Sequence, residues 1–233
     1  MKTTPIRSCA ESCQSRPQSI FRHLTSQELE NLNTYKETFH FKRGNIVYNE
    51  GSRITGCYCI NSGIVKIYKT GSDGKEQIIR FARAGELIAF RSVFNSEPAC
   101  TTAEILEDTI MCYMPGEFMI QLVKQNSSFA MDMLQLTCKE LGEANSYITD
   151  IAQKTVRERL AEVLLNLYHN FGLSHDFTLQ ISLTREELAN IVGTATESVI
   201  RLLSEFKEDK LIELQGRQIR ILNIPALQKI ANI

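Results

Sequence analysis

Five side chains recur at helical spacing near the C-terminus, and their chemistry suits the edges of DNA base pairs. They are Thr196, Glu197, Ile200, Arg201 and Ser204, and helical periodicity places them on one face. A glutamate accepts from the cytosine amino group, an arginine donates two hydrogen bonds to guanine, and an isoleucine packs against a thymine methyl group. The pattern predicts base reading. The alternative is the ordinary solvated face of a bundle helix.

Helix start signals indicate how this face is held in place. Thr184 and Glu187 match a capping box, and we expect a second one at Thr194 and Glu197. Gly193 lies between two amphipathic segments, where a tight turn requires positive φ. Two helices joined in this way form a helix-turn-helix, whose second helix enters the major groove of DNA.

The segment after the second helix predicts a two-stranded wing. The run ELQGRQIRIL alternates around Gly216 and Arg217, as hairpin strands do, and Arg217 and Arg220 are positioned to contact phosphates. The complete predicted DNA-binding set is Thr184, Arg185, Thr194, Thr196, Glu197, Ser198, Ile200, Arg201, Ser204 and Arg217.

The segment TREELANIVGTATESVIRLL resembles the winged helix of the CRP/FNR family of transcription regulators, and the resemblance covers nearly the whole chain beyond residue 20. It implies an α+β fold with an N-terminal double-stranded β-roll (jelly-roll-like), a long dimerisation helix and a C-terminal winged helix-turn-helix. It also implies a homodimer that binds an inverted-repeat operator, with RNA polymerase as a partner. The expected domains are a polar tail at 1–19, the sensor β-roll at 20–126, the dimer helix at 127–155 and the DNA-binding domain at 156–233.

The residues themselves support this division. An amphipathic helix is predicted from Ile20, with Thr25 or Ser26 as its cap. From Thr38 to Pro115 short alternating segments are punctuated by glycines, which is typical of an all-β domain. A second amphipathic helix is predicted from Glu158, ended by Gly172.

Heptad spacing between residues 127 and 155 predicts a helix that packs against a copy of itself. The expected dimer interface consists of Leu134, Cys138, Leu141, Asn145, Ile148 and Ala152, with Asn145 as a buried polar residue that fixes the register. The alternative is a helix that lies on its own β-roll.

The resemblance places an effector pocket at Gly85, Glu86, Leu87, Thr101 and Thr102. Relatives similar to the cyclic-AMP receptor carry an arginine before the Ser/Thr pair, and here Pro98, Ala99 and Cys100 precede it. A phosphodiester without a bidentate cation loses its strongest interaction. Cyclic AMP is therefore not expected, and a different small molecule remains open.

Seven cysteines suggest a second kind of signal. The segment around Cys112 resembles the one that supplies an iron–sulfur ligand in the oxygen-sensing regulators, and Cys9 and Cys13 precede the first helix as the other ligands do there. The departures are a C-x3-C spacing, Ser19 in place of a third cysteine and an unidentified fourth ligand such as Cys100. Thiol redox sensing by Cys9 and Cys13 is one alternative. The other is that Cys112 packs in the core, as we expect for Cys57 and Cys59.

Composition limits the remaining classes of function. The formal net charge is −1, so DNA affinity must come from local placement of arginines and from dimerisation. No apolar run suits a membrane span or a secretion signal, which makes a cytoplasmic protein with no membrane partner the expectation. We find no nucleophile elbow, P-loop, HExxH or GxGxxG signature and expect no enzyme. A ligand-binding module that regulates a partner protein is a third class, which would not explain the exposed Glu197 and Arg201.

Overall fold

The structure is a computed structural model that describes residues 19–233. The chain divides into two compact units, one made of the residues up to Gly71 with Ile78–Glu140, the other of Ser72–Gln77 with Leu141–Ile233. Among the described residues, no helix combines the length and the apolar character needed to cross a membrane.

The first unit is built on a six-stranded sheet. The strands are β1 (Glu37–Phe41), β2 (Ile46–Tyr48), β3 (Gly56–Thr70), β4 (Glu76–Arg83), β5 (Leu87–Ile88) and β6 (Thr102–Pro115). The order is β1-β6-β3-β4, with β2 added to β6 and β5 added to β3. Buried residues of β3 and β6 belong to two apolar core clusters. Gly63 has φ +92°, and a Cβ atom there would collide with Thr109, so this irregularity of β3 requires glycine.

Helix α1 (Ser26–Tyr35) begins six residues later than the predicted start at Ile20. Thr25 is the N-cap and forms a complete capping box with Glu28. This box fixes the N-terminal end of the helix at Thr25, because it satisfies N–H groups that have no partner within the helix. The preceding residues form a turn that buries Phe21 and Leu24. The prediction of a cap at Thr25 is confirmed; the earlier helix start is wrong.

Three further helices come after β5 in the chain. Helix α2 (Phe90–Asn95) lies between β5 and β6, α3 (Gly116–Gln125) follows β6, and α4 (Ser127–Gln153) is the long helix predicted from the heptads. The buried residues of α4 are Phe129, Asp132 and Met133, all near its start. Asp132 accepts hydrogen bonds from Arg22 at 2.6 Å and from His23 at 2.9 Å.

The second unit contains the predicted helix-turn-helix and wing. Helix α5 (Val156–Phe171) has Thr155 as N-cap and ends at Gly172, and it is followed by α6 (Arg185–Val192) and α7 (Thr196–Glu208). Strands β7 (Ile212–Gln215) and β8 (Gln218–Ile221) form the antiparallel wing, and α8 (Ile224–Ala231) packs against α5. This architecture confirms the predicted fold class.

One of the two predicted capping boxes is present. Thr184 caps α6, and its hydroxyl accepts from the Glu187 N–H while the Glu187 carboxylate accepts from the Thr184 N–H. The box predicted at Thr194 and Glu197 is wrong, since the N-cap of α7 is Ala195 with no side-chain cap. The Thr194 N–H donates to the Ala189 carbonyl. Thr194 therefore belongs to the C-terminal turn of α6, which the left-handed Gly193 (φ 72°) makes possible.

Candidate nucleic-acid interface

Helix α7 separates its apolar and polar residues onto opposite faces. Val199, Leu202, Leu203 and Phe206 are buried against the rest of the domain. Glu197, Ile200, Arg201 and Ser204 are exposed, and Thr196 and Ser198 are partly exposed. Ile200 keeps 48% of its surface in solvent, which is unusual for an isoleucine on a helix whose apolar stripe is otherwise buried. The predicted recognition face therefore exists as one continuous surface.

Two residues of this face have partners on the same helix. The Arg201 guanidinium lies 3.2 Å from a Glu205 carboxylate oxygen, one turn further along. The Ser204 hydroxyl donates to the Ile200 carbonyl at 3.0 Å, a backbone contact that uses its proton and leaves both of its lone pairs able to accept. Glu205 was not among the predicted residues, although its i+4 spacing from Arg201 is a recognisable signal.

The wing is tied to the first helix of the motif by Arg185. Its guanidinium donates to the Gly216 carbonyl at the wing turn at 2.9 Å, and burial lowers the pKa of this group. Arg217 is exposed next to that turn, whereas Arg220 pairs with Glu213 across the strands at 3.1 Å. The sequence predicted that Arg185 contacts DNA. In the structure its guanidinium links α6 to the wing turn.

Arg159 connects three backbone carbonyl groups at the junction of helices. It donates to Lys154 O at 2.8 Å, to Val192 O at 3.0 Å and to Gly193 O at 3.4 Å. Carbonyl groups at helix ends lack intrahelical partners and carry partial negative charge. The Arg159 guanidinium therefore satisfies carbonyl groups at the end of α6 and after the end of α4. The sequence position of Arg159 alone does not reveal this role.

The predicted dimer residues on α4 form an unpartnered apolar stripe. Leu134, Leu141 and Ile148 are 55%, 61% and 65% exposed. The rest of the predicted set, Cys138, Asn145 and Ala152, is also exposed. The buried residues of the helix lie at its first turns, where Phe129 and Met133 pack in the core of the roll. The alternative of a helix that lies on its own β-roll thus applies to these first turns and not to the stripe.

The predicted effector residues are paired with neighbouring side chains. Glu86 accepts from Arg80 at 2.8 Å and from Arg83 at 3.4 Å, and Arg80 also reaches Glu140 on α4 at 3.0 Å. Burial raises the pKa of the Tyr48 hydroxyl to about 12, and its hydrogen bond with Thr101 and the charge of Arg80 oppose that shift.

The other predicted effector residues have structural positions. Thr102 is buried and accepts from the Glu50 N–H at 3.0 Å. Leu87 is buried, and Gly85 sits in a left-handed turn before β5. Ala99, one of the three residues that stand where the arginine would be expected, hydrogen bonds through its backbone to Gly51 and Ser52.

Three of the cysteines are packed in the core of the first unit. Cys57, Cys59 and Cys112 are buried in one core cluster, and Cys59 lies directly opposite Cys112 on the neighbouring strand. Burial raises the pKa of the Cys57 thiol to about 12, so Cys57 is a protonated packing residue. Cys9 and Cys13 lie outside the described residues. Cys138 on the stripe is exposed.

The described residues alone do not fit an iron–sulfur cluster. Such a cluster requires four ligands, mostly thiolates, and residues 19–233 contain no group of three or more His, Cys, Asp or Glu side chains that could hold a metal ion. Cys100 precedes the start of β6 whereas Cys112 is near its end. Most of the strand separates them, which rules out Cys100 as a fourth ligand beside Cys112.

Comparisons with known proteins agree with this architecture. The cyclic nucleotide-binding domain family matches residues 38–126 and the Crp-like helix-turn-helix domain family matches residues 158–230. The fumarate and nitrate reduction regulatory protein of Yersinia pestis is 27% identical over 89% of this chain and 84% of its own. The transcriptional activator protein Anr of Pseudomonas protegens is 28% identical over 78% of this chain and 75% of its own.

Solved structures share the fold. A transcriptional regulator of the crp/fnr family from Eubacterium rectale superposes with a TM-score of 0.76 at 22% identity, covering 92% of this chain and 98% of that one. FixK2 from Bradyrhizobium japonicum gives a TM-score of 0.74 at 24% identity, over 84% of this chain and 96% of its own.

A β-roll sensor fold followed by a winged helix-turn-helix defines a class of DNA-binding transcription regulators. The chain belongs to the CRP/FNR family of these regulators.

Proposed function

We propose that the chain acts as a homodimer that reads an inverted-repeat operator through the exposed face of α7. The observation that carries this proposal is that face: Glu197, Ile200 and Arg201 stand in solvent on a helix whose other side is fully packed. A helix that only supported its domain would not need them. The function is binding and not catalysis, and RNA polymerase is the partner that a bound regulator would address.

Each side chain of the face suits a particular base. Arg201 donates to guanine, Glu197 accepts from a cytosine amino group and Ile200 meets a thymine methyl group. By resemblance to the family, each half-site holds a G·C pair followed by A·T. Thr196 stands where similar regulators carry an arginine, so the guanine contact of that arginine is missing. Thr194 and Ser198 flank the face, and Arg217 of the wing contacts a phosphate.

The apolar stripe of α4 supports the dimer. Three large aliphatic residues spaced by seven and more than half exposed are the surface of a two-stranded coiled coil. In the dimer Asn145 is enclosed and fixes the register. Two recognition helices related by a two-fold axis read half-sites about one helical turn apart.

Selection from a randomised DNA duplex pool tests this function. The full chain should enrich an inverted repeat, and the enriched duplex then serves as the operator. Arg201→Ala should weaken operator binding by about 1–3 kcal/mol and binding to a scrambled duplex hardly at all. The control Arg217→Ala should weaken both duplexes and reduce the salt slope by about 1. If Arg201→Ala weakens binding to both duplexes equally, Arg201 contacts a phosphate and does not read a base.

The signal at the β-roll is a small molecule other than cyclic AMP. The exclusion of cyclic AMP is supported by Glu86 and Thr101, whose polar atoms are already paired with Arg80, Arg83 and Tyr48. Such a ligand shifts the dimer between two states only by its differential affinity for them. Titration with cyclic AMP should produce no heat of binding and no change in operator affinity; saturable binding would overturn this part of the proposal.

A redox signal is the second candidate, favoured by the position of Cys112. Phe21 and Leu24, which follow the N-terminal cysteines in the chain, pack in the same cluster as Cys112 and Cys59. Cys9 and Cys13, together with Cys112, would be ligands of an iron–sulfur cluster, which when bound supplies a redox-sensitive centre. Cys59 is the described thiol placed to join them.

Anaerobic purification separates the two signals. Iron, acid-labile sulfide and a visible absorption band that bleaches in air, with a parallel loss of operator binding, would assign the cysteines to a cluster. A colourless, iron-free protein with air-insensitive binding would leave Cys112 as a core residue. A chain that binds a protein partner and no DNA in these assays would instead be a regulatory module.

A further inference from the structure

A chain of ion pairs runs across the C-terminal half of α7. Arg201 contacts one carboxylate oxygen of Glu205 at 3.2 Å, and Arg157 contacts the other at 2.9 Å. Arg157 also binds Asp209 at 2.7 Å. Glu205 therefore stands between two guanidinium groups, one on the exposed face of its own helix and one on α5.

Arg157 fixes the inner side of this chain. Its guanidinium lies 4.8 Å from the centre of the Phe206 ring, and that ring is fully buried. Stacking on an aromatic face and two carboxylate contacts hold the planar group in one orientation. The Glu205 carboxylate is thus anchored from behind, and only its second oxygen is directed at Arg201.

The side chain of Arg201 is 72% exposed and extends into solvent beside this contact. A free surface arginine is attracted to any phosphate along the DNA backbone. Next to a fixed carboxylate its charge is compensated, so an anionic phosphate gains little from it. The O6 and N7 atoms of guanine are neutral acceptors, and the remaining N–H donors of Arg201 still reach them.

We propose that Glu205 is a positioning residue that determines specificity: anchored by Arg157, it orients Arg201 toward guanine and disfavours its capture by phosphates. This inference rests on the proposed base-reading role of Arg201. Specificity then arises partly from a repulsive element, since the carboxylate penalises the competing non-specific complex. Glu205 contacts no base; it acts through Arg201.

The test compares Glu205→Gln with Glu208→Gln. Glu208 is exposed on the same helix, so both variants remove one negative charge from α7. Fluorescence anisotropy would measure affinity for three duplexes: the operator enriched by the wild type, the same operator with the guanine of each half-site replaced, and a scrambled duplex. The salt dependence of each affinity would be recorded, with the melting temperature as a check on folding.

Glu205→Gln should lower the discrimination between operator and guanine-replaced operator about tenfold. It should also raise the affinity for scrambled DNA about threefold and steepen its salt dependence. Glu208→Gln should raise all three affinities alike and leave discrimination unchanged. Arg157→Gln, which detaches the anchor but keeps Glu205, should lower discrimination by a smaller factor.

Equal behaviour of Glu205→Gln and Glu208→Gln would overturn the proposal, because a general charge effect would then explain both. Undiminished discrimination in Glu205→Gln at an unchanged melting temperature would do the same. The base-reading function fails separately, if Arg201→Ala discriminates between the duplexes as well as the wild type does. Loss of discrimination in Arg201→Ala but not in Glu205→Gln would leave that function intact and remove Glu205 from it.

Discussion

The β-roll and the recognition helix use their polar side chains in opposite ways. In the roll, Glu86 and Arg80 are bound to each other, and Tyr48 holds Thr101. On α7, Glu197 and Ile200 face solvent. Polar groups that are paired internally contribute to stability, and those that are left outward are available to a partner. The second unit therefore displays the groups that we propose read DNA, whereas these polar groups of the roll are engaged with one another.

The stripe on α4 shows the same contrast on an apolar surface. Its first turns are buried against the roll through Phe129 and Met133, and its later turns expose Leu134, Leu141 and Ile148. Contiguous exposed aliphatic side chains indicate a protein contact. The three predictions below test whether the outward groups act in binding and the inward groups in stability.

The largest effect is expected for Leu141→Asp. A charge at the centre of the stripe cannot be buried in a coiled coil without a large desolvation cost, so the protein should become monomeric. Operator affinity should then fall by about a hundredfold or more, because bivalent attachment is lost. Light scattering after size exclusion and anisotropy would measure both. Ser146→Asp, which adds the same charge to an exposed position off the stripe, should leave the dimer intact; a dimeric Leu141→Asp would exclude the stripe as the interface.

A moderate effect is expected for Arg80→Gln in the roll. Glu86 and Glu140 would both lose their shared cation, and we expect a loss of about 1 kcal/mol in the free energy of unfolding after allowance for solvent screening. Arg83→Gln removes the longer contact to Glu86 and should cost less, roughly a few tenths of a kcal/mol by the same reasoning. Urea denaturation would measure both. Equal stability of the two variants would argue against Arg80 as the centre of the network.

The smallest effect separates two threonines of the helix-turn-helix. Thr184→Ala should lower the free energy of unfolding by about 1 kcal/mol, since it removes a complete capping box. Thr194→Ala should change it by less than about 0.5 kcal/mol, because Thr194 caps no helix. Thermal unfolding of the purified variants provides the measurement. A larger loss at Thr194 would restore the capping box predicted from the sequence.

Local signals in the sequence predicted most of the fold. Gly193 marked the turn, Thr184 marked a helix start, and the seven-residue spacing marked the long helix, because each depends on residues a few positions apart. The capping box predicted at Thr194 was wrong because a local pattern does not tell the end of one helix from the start of the next. Gly193 and Thr194 together complete the end of one helix, and the next helix can begin only after them.

The sequence could not reveal contacts between distant residues. Arg185 was predicted to contact DNA, and its hydrogen bond to the Gly216 carbonyl of the wing could not be predicted because the two residues are far apart in the chain. Arg80 was not singled out at all, since its partner Glu140 is far along the chain. The pair of Arg201 and Glu205 could have been predicted from their i, i+4 spacing. The contact of Glu205 with Arg157 could not, because Arg157 is distant in the chain.

Arg159 has a consequence for mutational tolerance. Its three acceptors are main-chain carbonyl groups at Lys154, Val192 and Gly193, and every amino acid supplies that atom. Substitutions at the first two of these positions leave the acceptors in place, so the constraints on those side chains come from other contacts: Val192 is buried in the core, and Lys154 pairs with Asp150 and Glu162. For the junction itself the constraint falls on the donor, and a deep mutational scan should find residue 159 intolerant to replacement of the arginine.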